Sequence, residues 1–146
     1  MIWGLKTAAI FDVWTFEHLL SGLSIGALAI RSNMKIFKNK LNLDGRDINT
    51  RYFDLIFVLL VAYAWETVEH YLESGLTGAV VAHWFQGVEF WANRIISDPL
   101  ITVVGYYIAI KNPTLVTPAR IVSLIWLFVH VFIFPHSMYL HELFQL

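Results

Sequence analysis

The sequence predicts an all-α membrane protein: four transmembrane helices, with one amphipathic interfacial or re-entrant helix between spans two and three. Three observations predict it. The chain is 58% hydrophobic and 16% aromatic with only 14% charged residues, far more apolar than the ~45–50% of a soluble domain. Long apolar runs alternate with short polar stretches, and eight of the ten Lys and Arg residues fall in two of those stretches, 31–51 and 111–120. At 146 residues there is room for one small bundle, a single domain over 1–146. A net charge of −1 gives no nucleic-acid footprint. The absence of cysteine excludes disulfides, thiolate metal sites, iron–sulfur clusters and Cys nucleophiles.

The first span is expected over 11–30, about 20 residues, which matches a hydrocarbon core of ~30 Å. Asp12, Glu17 and His18 interrupt its apolar run and no basic leader precedes it, so it reads as a retained helix rather than a signal peptide. Gly22 and Gly26 form a small-xxx-small pair suited to close helix packing. Residues 31–51 turn polar and basic around Leu-Asp-Gly-Arg-Asp and read as a cytoplasmic loop. The second span, 52–72, ends in a breaker cluster, Glu73-Ser-Gly-Leu-Thr-Gly. Residues 79–97 are amphipathic: His83, Gln86, Glu89, Asn93, Arg94 and Ser97 occupy about 140° of arc, opposite Trp84, Phe85, Val88, Trp91, Ile95 and Ile96. Ser97-Asp98-Pro99 signals a helix start. The third span, 99–110, covers only ~18 Å at 1.5 Å per residue, so either the membrane thins there or the preceding helix enters partway and kinks. After a short loop over 111–120 the last span covers 119–134, and Pro135 interrupts it before His136, His141 and Glu142.

Placing both basic loops in the cytoplasm puts the two termini and the 73–98 segment outside, in a plasma (inner) membrane. A five-crossing arrangement would carry Glu89 and Arg94 through lipid and ranks second. On the four-span topology Glu17, His18, Glu66, Glu69, His70, His83, Glu89, Asp98 and His130 all belong to the outer half, leaving aliphatic and aromatic packing to the inner half. Glu66, Glu69, His70 and Glu73 fall within roughly 100° of one another on one helix face. A bare carboxylate facing hydrocarbon costs at least ~2.5 kcal/mol, so that face needs a partner, water or a metal.

Imidazole and carboxylate without thiolate suit Zn, Fe, Mn or Cu(II). Glu66 and His70, at i and i+4, can address one ion, with His18 or Glu17 completing the set across the interface and His83 and His130 as further candidates. The spacing partly matches the Glu plus Glu-x-x-His pattern of carboxylate-bridged bundles. A bound metal would acidify a coordinated water and polarise a carbonyl or phosphoryl oxygen, with Glu69 or Asp98 as general base. The plainer alternative has these groups bonding one another and water, fixing helix register without chemistry. Haem is a further reading, with an axial pair among His18, His70, His83 and His130. A serine hydrolase lacks any nucleophile-elbow context.

Asp12-Val-Trp-Thr-Phe-Glu-His18-Leu-Leu-Ser-Gly22, Ala64-Trp65-Glu66-x-x-Glu69-His70, Asn93 with Ser97-Asp98 and Gly105, and Lys111-Asn112-Pro113 together resemble a family of small bacterial multi-pass membrane proteins. More distantly they resemble the VanZ-like proteins associated with teicoplanin resistance. Asp12, Thr15, His18 and Gly22 are in register with the family's Asp-Trp-Tyr-Thr-Pro-Ser-His-Ile-Ile-His-Gly, and the second stretch is similar to its Ala-Trp-Glu-x-x-Glu-Asn. The chain departs at Ser21, at Phe16-Glu17 and at His70. The resemblance covers the first three spans, and it implies a four-helix inner-membrane protein with a functional cluster at His18, Glu66, Glu69, Asn93 and Asp98.

The leading expectation is therefore an outward-facing His/carboxylate site that binds a divalent metal and acts on a lipid-linked or small amphiphilic substrate. Two other classes stay open. One is a non-catalytic accessory subunit, docking on other membrane subunits or on itself through Trp84, Trp91 and its apolar faces. The other is a small proton-coupled carrier with Glu66 and His70 as relay groups.

Overall fold

The computed structural model describes residues 1–40, 51–85 and 87–133. Five helices carry the described chain: α1 (Thr15–Lys40), α2 (Arg51–Glu73), α3 (Ala79–Phe85), α4 (Asp98–Lys111) and α5 (Val116–Phe128). A π-helical turn, Asn93–Ser97, leads into α4; a 3-10 turn, Pro113–Leu115, precedes α5; a second π-helical turn, Val129–Ile133, follows it. The fold is all-α, with a single isolated bridge between Trp3 and Phe11 among the described residues.

The residues before α1 form a closed loop instead of a helical extension. The backbone N–H of Phe11 donates to the Ile2 carbonyl (2.9 Å) and that of Ile10 to the Met1 carbonyl (3.0 Å). Asp12 then starts α1. Its Oδ1 accepts from the Trp14 N–H at 2.7 Å, and its own N–H donates to Thr15 Oγ1 at 3.0 Å, so side chains satisfy donors that a helix start leaves free. At the other end α1 continues through residues 31–40, which the sequence reading assigned to a loop. The correction has a plain cause: that stretch contains no Gly or Pro, and Lys, Met and Arg are good helix formers. Asn33 uses the added turns to donate to Asp54 Oδ1 at 2.7 Å, tying α1 to the first turn of α2. Asp54 is buried, so the packing at this end is not purely aliphatic and aromatic, as had been expected.

The Gly22 and Gly26 pair lets two helices pack closely, as the sequence reading expects. A Cβ on Gly22 would strike the backbone of Thr102, one on Gly26 would lie 2.7 Å from Tyr106 Cα, and one on Gly105 would strike the backbone of Leu19 and Gly22. The α1 and α4 backbones cross with no room for a methyl group. Around this crossing pack Ala29, Val58 and Tyr106, and beside it Leu23, Ala109, Val116 and Ala119.

α4 begins at Asp98, where the sequence signals a helix start, but Ser97 before it contributes no side-chain cap. Ser97 is αR itself; the helix already runs through the π turn, where the Asp98 N–H donates to the Asn93 carbonyl. Pro99 lacks an N–H for the Ile95 carbonyl. The wider π turn takes up the mismatch, and the Tyr63 hydroxyl of α2 donates to that carbonyl at 3.0 Å. The helix expected as the third span is continuous with the π turn before it. The amphipathic 79–97 segment is accordingly divided, α3 ending before Gly87, whose φ of 96° turns the chain.

Among the described residues α2 alone is long and apolar enough to cross a membrane, and a shorter apolar helix covers Pro113–Phe128. Leu60, Trp65, Leu100, Tyr107, Leu124 and Phe128 are exposed, while Asp12, Glu66, Asn93 and Asp98 are buried. That inverts the usual soluble pattern. Ile30, Arg51, Asp54, Ile110 and Pro113 line one cavity of about 270 Å³, so the chain on either side of the 41–50 stretch and the turn after α4 lie at the same end of the bundle.

Candidate metal centre

The opposite end is built from charged residues, and each arrives by a local device. The inward stripe of α2 passes from Asp54, Val58 and Ala62 to Glu66, Glu69 and Glu73, the spacings of four and three that keep one helical face. The first turn of α1 supplies His18, and the π turn delivers Asp98 fully buried. Glu89 is fixed through its own backbone, its N–H donating to Glu73 Oε2 at 3.0 Å. The neighbouring Phe90 N–H donates to the Lys6 carbonyl at 2.9 Å.

One half of the cluster is charge-matched. Lys6 is buried against Glu73, and Arg94 Nη2 lies 2.6 Å from the other Glu73 oxygen. Arg94 Nε is 3.9 Å from Glu89 Oε2, and Asn93 donates to Glu89 Oε1 at 3.0 Å. Glu73 thereby takes both cations, which leaves it structural.

The other half is not matched. His18 Nε2 lies 3.3 Å from Asp98 Oδ2 and Nδ1 lies 3.7 Å from Glu66 Oε1. Ligating atoms of His18, Glu66 and Glu69 lie within 4.8 Å of one another, as do those of Glu66, Glu89 and Asp98. Both oxygens of Glu66, both of Asp98 and Oε2 of Glu89 are buried without a hydrogen-bond partner among the described residues. Buried carboxylates left in that state are costly unless an ion or a proton joins them. At Glu89, which sits outside the helices, burial first and then Glu69, Glu66, Asp12 and Glu73 push the carboxyl well above the ordinary range.

No family model, curated protein or solved structure matches the chain.

Geometry therefore sorts the sequence candidates. His18, Glu66, Glu69 and Asp98 come together. His70 stands one step round α2 from Glu66, is exposed, and lines an outer groove with Tyr63, Glu66, Thr67, Arg94 and Ile95; the i, i+4 pairing with Glu66 puts both on neighbouring rows, but only Glu66 turns inward. Glu17 instead accepts from Ser123 Oγ at 2.5 Å and Ser21 Oγ at 3.0 Å, linking α1 to α5. His83 is exposed on α3. His130 packs between Trp14 and Trp126, with ring centroids 4.6 and 4.8 Å away, and its Nδ1 is 2.8 Å from the Trp126 carbonyl. None of these four belongs to either donor group. His136 and His141 lie outside the described residues. Glu69 and Asp98, expected as general bases, stand among the would-be ligands.

Lys6 escaped the sequence reading, although one cation set in the apolar run Met1–Ile10 was the available signal. Glu89 was placed on a polar face without a role. Its partner groups come from three other segments, which periodicity along one helix does not report.

Proposed function

We propose that the chain is a multi-pass membrane protein whose His18/Glu66/Glu69/Glu89/Asp98 cluster binds a divalent metal and faces the outer aqueous side. The observation that carries this reading is the set of buried carboxylate oxygens around His18 that accept no hydrogen bond from the described residues. Inside a low-dielectric bundle a divalent ion is the partner that satisfies several of them at once. One imidazole among carboxylates favours Mn, Fe or Zn over soft-metal chemistry. Such an ion would lower the pKa of a bound water and polarise a carbonyl or phosphoryl oxygen.

The groove beside Glu66, about 420 Å³ and lined by Tyr63, Thr67, His70, Arg94 and Ile95, offers a lipid-linked or small amphiphilic molecule a lateral approach to the cluster. The resemblance to the small bacterial membrane family supports the same residues, since His18, Glu66, Glu69 and Asp98 are the positions that it singles out. Metal analysis of the purified full chain tests the reading. Wild type and His70→Ala are expected to retain metal, and Glu66→Gln and His18→Ala to lose most of it. Metal-free wild-type protein that stays folded after incubation with Mn²⁺ and Zn²⁺ without taking up either would overturn it.

A further inference from the structure

The two donor groups share one residue. His18, Glu66 and Glu69 make the first, Glu66, Glu89 and Asp98 the second, and Glu66 is 98% buried, with neither of its oxygens hydrogen-bonded among the described residues. Resting on the metal-binding reading above, we propose that the cluster holds two divalent cations, with Glu66 bridging them through its two oxygens.

Charge supports two ions over one. Glu66, Glu69, Glu73, Glu89 and Asp98 are all buried. Against these five carboxylates stand two fixed cations, Lys6 on Glu73 and Arg94 between Glu73 and Glu89. Three negative charges remain when every group is ionised, more than one divalent ion neutralises. Ligand chemistry agrees. The first ion would have one imidazole and two carboxylates, the second three carboxylates, so the pair suits a hard or borderline metal such as Mn²⁺ or Fe²⁺. The second group also has its own positioning: Asn93 holds one Glu89 oxygen at 3.0 Å and leaves the other facing the cluster.

The probe is Mn²⁺ alone, added to full-chain protein in detergent after chelation, with bound metal counted by mass spectrometry and the pair read by electron paramagnetic resonance. Two Mn²⁺ per chain with a spin-coupled spectrum are expected. Glu69→Gln should keep one ion at the Glu89/Asp98 side, and Asp98→Asn one at the His18/Glu69 side, each with an uncoupled six-line spectrum. Glu66→Gln should abolish the coupled signal. One uncoupled ion per wild-type chain would overturn the bridged pair while leaving the metal-binding reading intact; no ion in folded wild type would overturn both. Because the count is made on wild type, a variant that fails to fold does not blunt the test.

Discussion

At the scale of single residues, the cluster divides into groups that hold the fold and groups that await a ligand. Lys6 and Glu73 are the first kind. Removing one member of a buried ion pair costs about 3–5 kcal/mol when the other charge is left stranded; Arg94 stays on Glu73, so Lys6→Met is expected to cost less than that, lowering the unfolding midpoint in chemical denaturation with or without added metal. Asp98 is the second kind: with neither oxygen hydrogen-bonded among the described residues, Asp98→Asn should change metal-free stability little and erase most of the stabilisation that Mn²⁺ gives wild type. A thermal-shift measurement with and without Mn²⁺ separates the two behaviours. Most of this was legible in the sequence only for residues on one helix. The face Glu66, Glu69 and Glu73 follows from 3.6-residue periodicity, yet whether His70 turns in or out depends on a rotation of tens of degrees that α1 and α4 decide. Lys6 was illegible because its partner lies 67 positions away.

At the scale of elements, the site depends on two helix contacts that small or irregular residues permit. Close packing of α1 was read from Gly22 and Gly26 without its partner, and Gly105 became meaningful only once α4 was seen to lie against α1. Overpacking a tight core ordinarily costs about 1–3 kcal/mol, and here the obstacle is backbone that cannot rotate aside. Gly22→Leu is expected to cost at least that much, visible as loss of a monodisperse species on size exclusion, because it would part the helices that carry His18 and Asp98. The π turn is the second contact. Ser97-Asp98-Pro99 opens α4, and the wider π turn together with the Tyr63 hydroxyl across the interface makes continuation through Pro99 acceptable. A typical hydrogen bond contributes about 0.5–1.5 kcal/mol net and this one is exposed, so Tyr63→Phe should destabilise by no more than that. Pro99→Ala, which restores an N–H, should relieve part of the loss, giving a double variant less destabilised than the two single effects combined.

At the scale of the whole molecule, the distribution of side chains argues for lipid around the bundle. Apolar residues such as Leu60, Leu100 and Leu124 point outward while Lys6, His18, Glu66, Glu69, Glu73, Glu89 and Asp98 are buried, and water would reward the reverse arrangement. The charges that do face outward gather at one end, where Arg31, Arg51 and Lys111 flank the described chain. The carboxylate cluster occupies the other end. An excess of Lys and Arg marks the cytoplasmic side, so the bundle is expected to sit with the cluster outward. Four crossings then require that a reporter fused at position 45 and one fused at position 112 both read cytoplasmic, and that one inserted at position 77 read outside. The dual-reporter assay, one enzyme active only in the cytoplasm and one only beyond it, decides each point separately. Opposite answers at 45 and 112 would place the two basic segments across the membrane from each other, and the cluster would then lose the shared outer face on which access to metal and substrate depends.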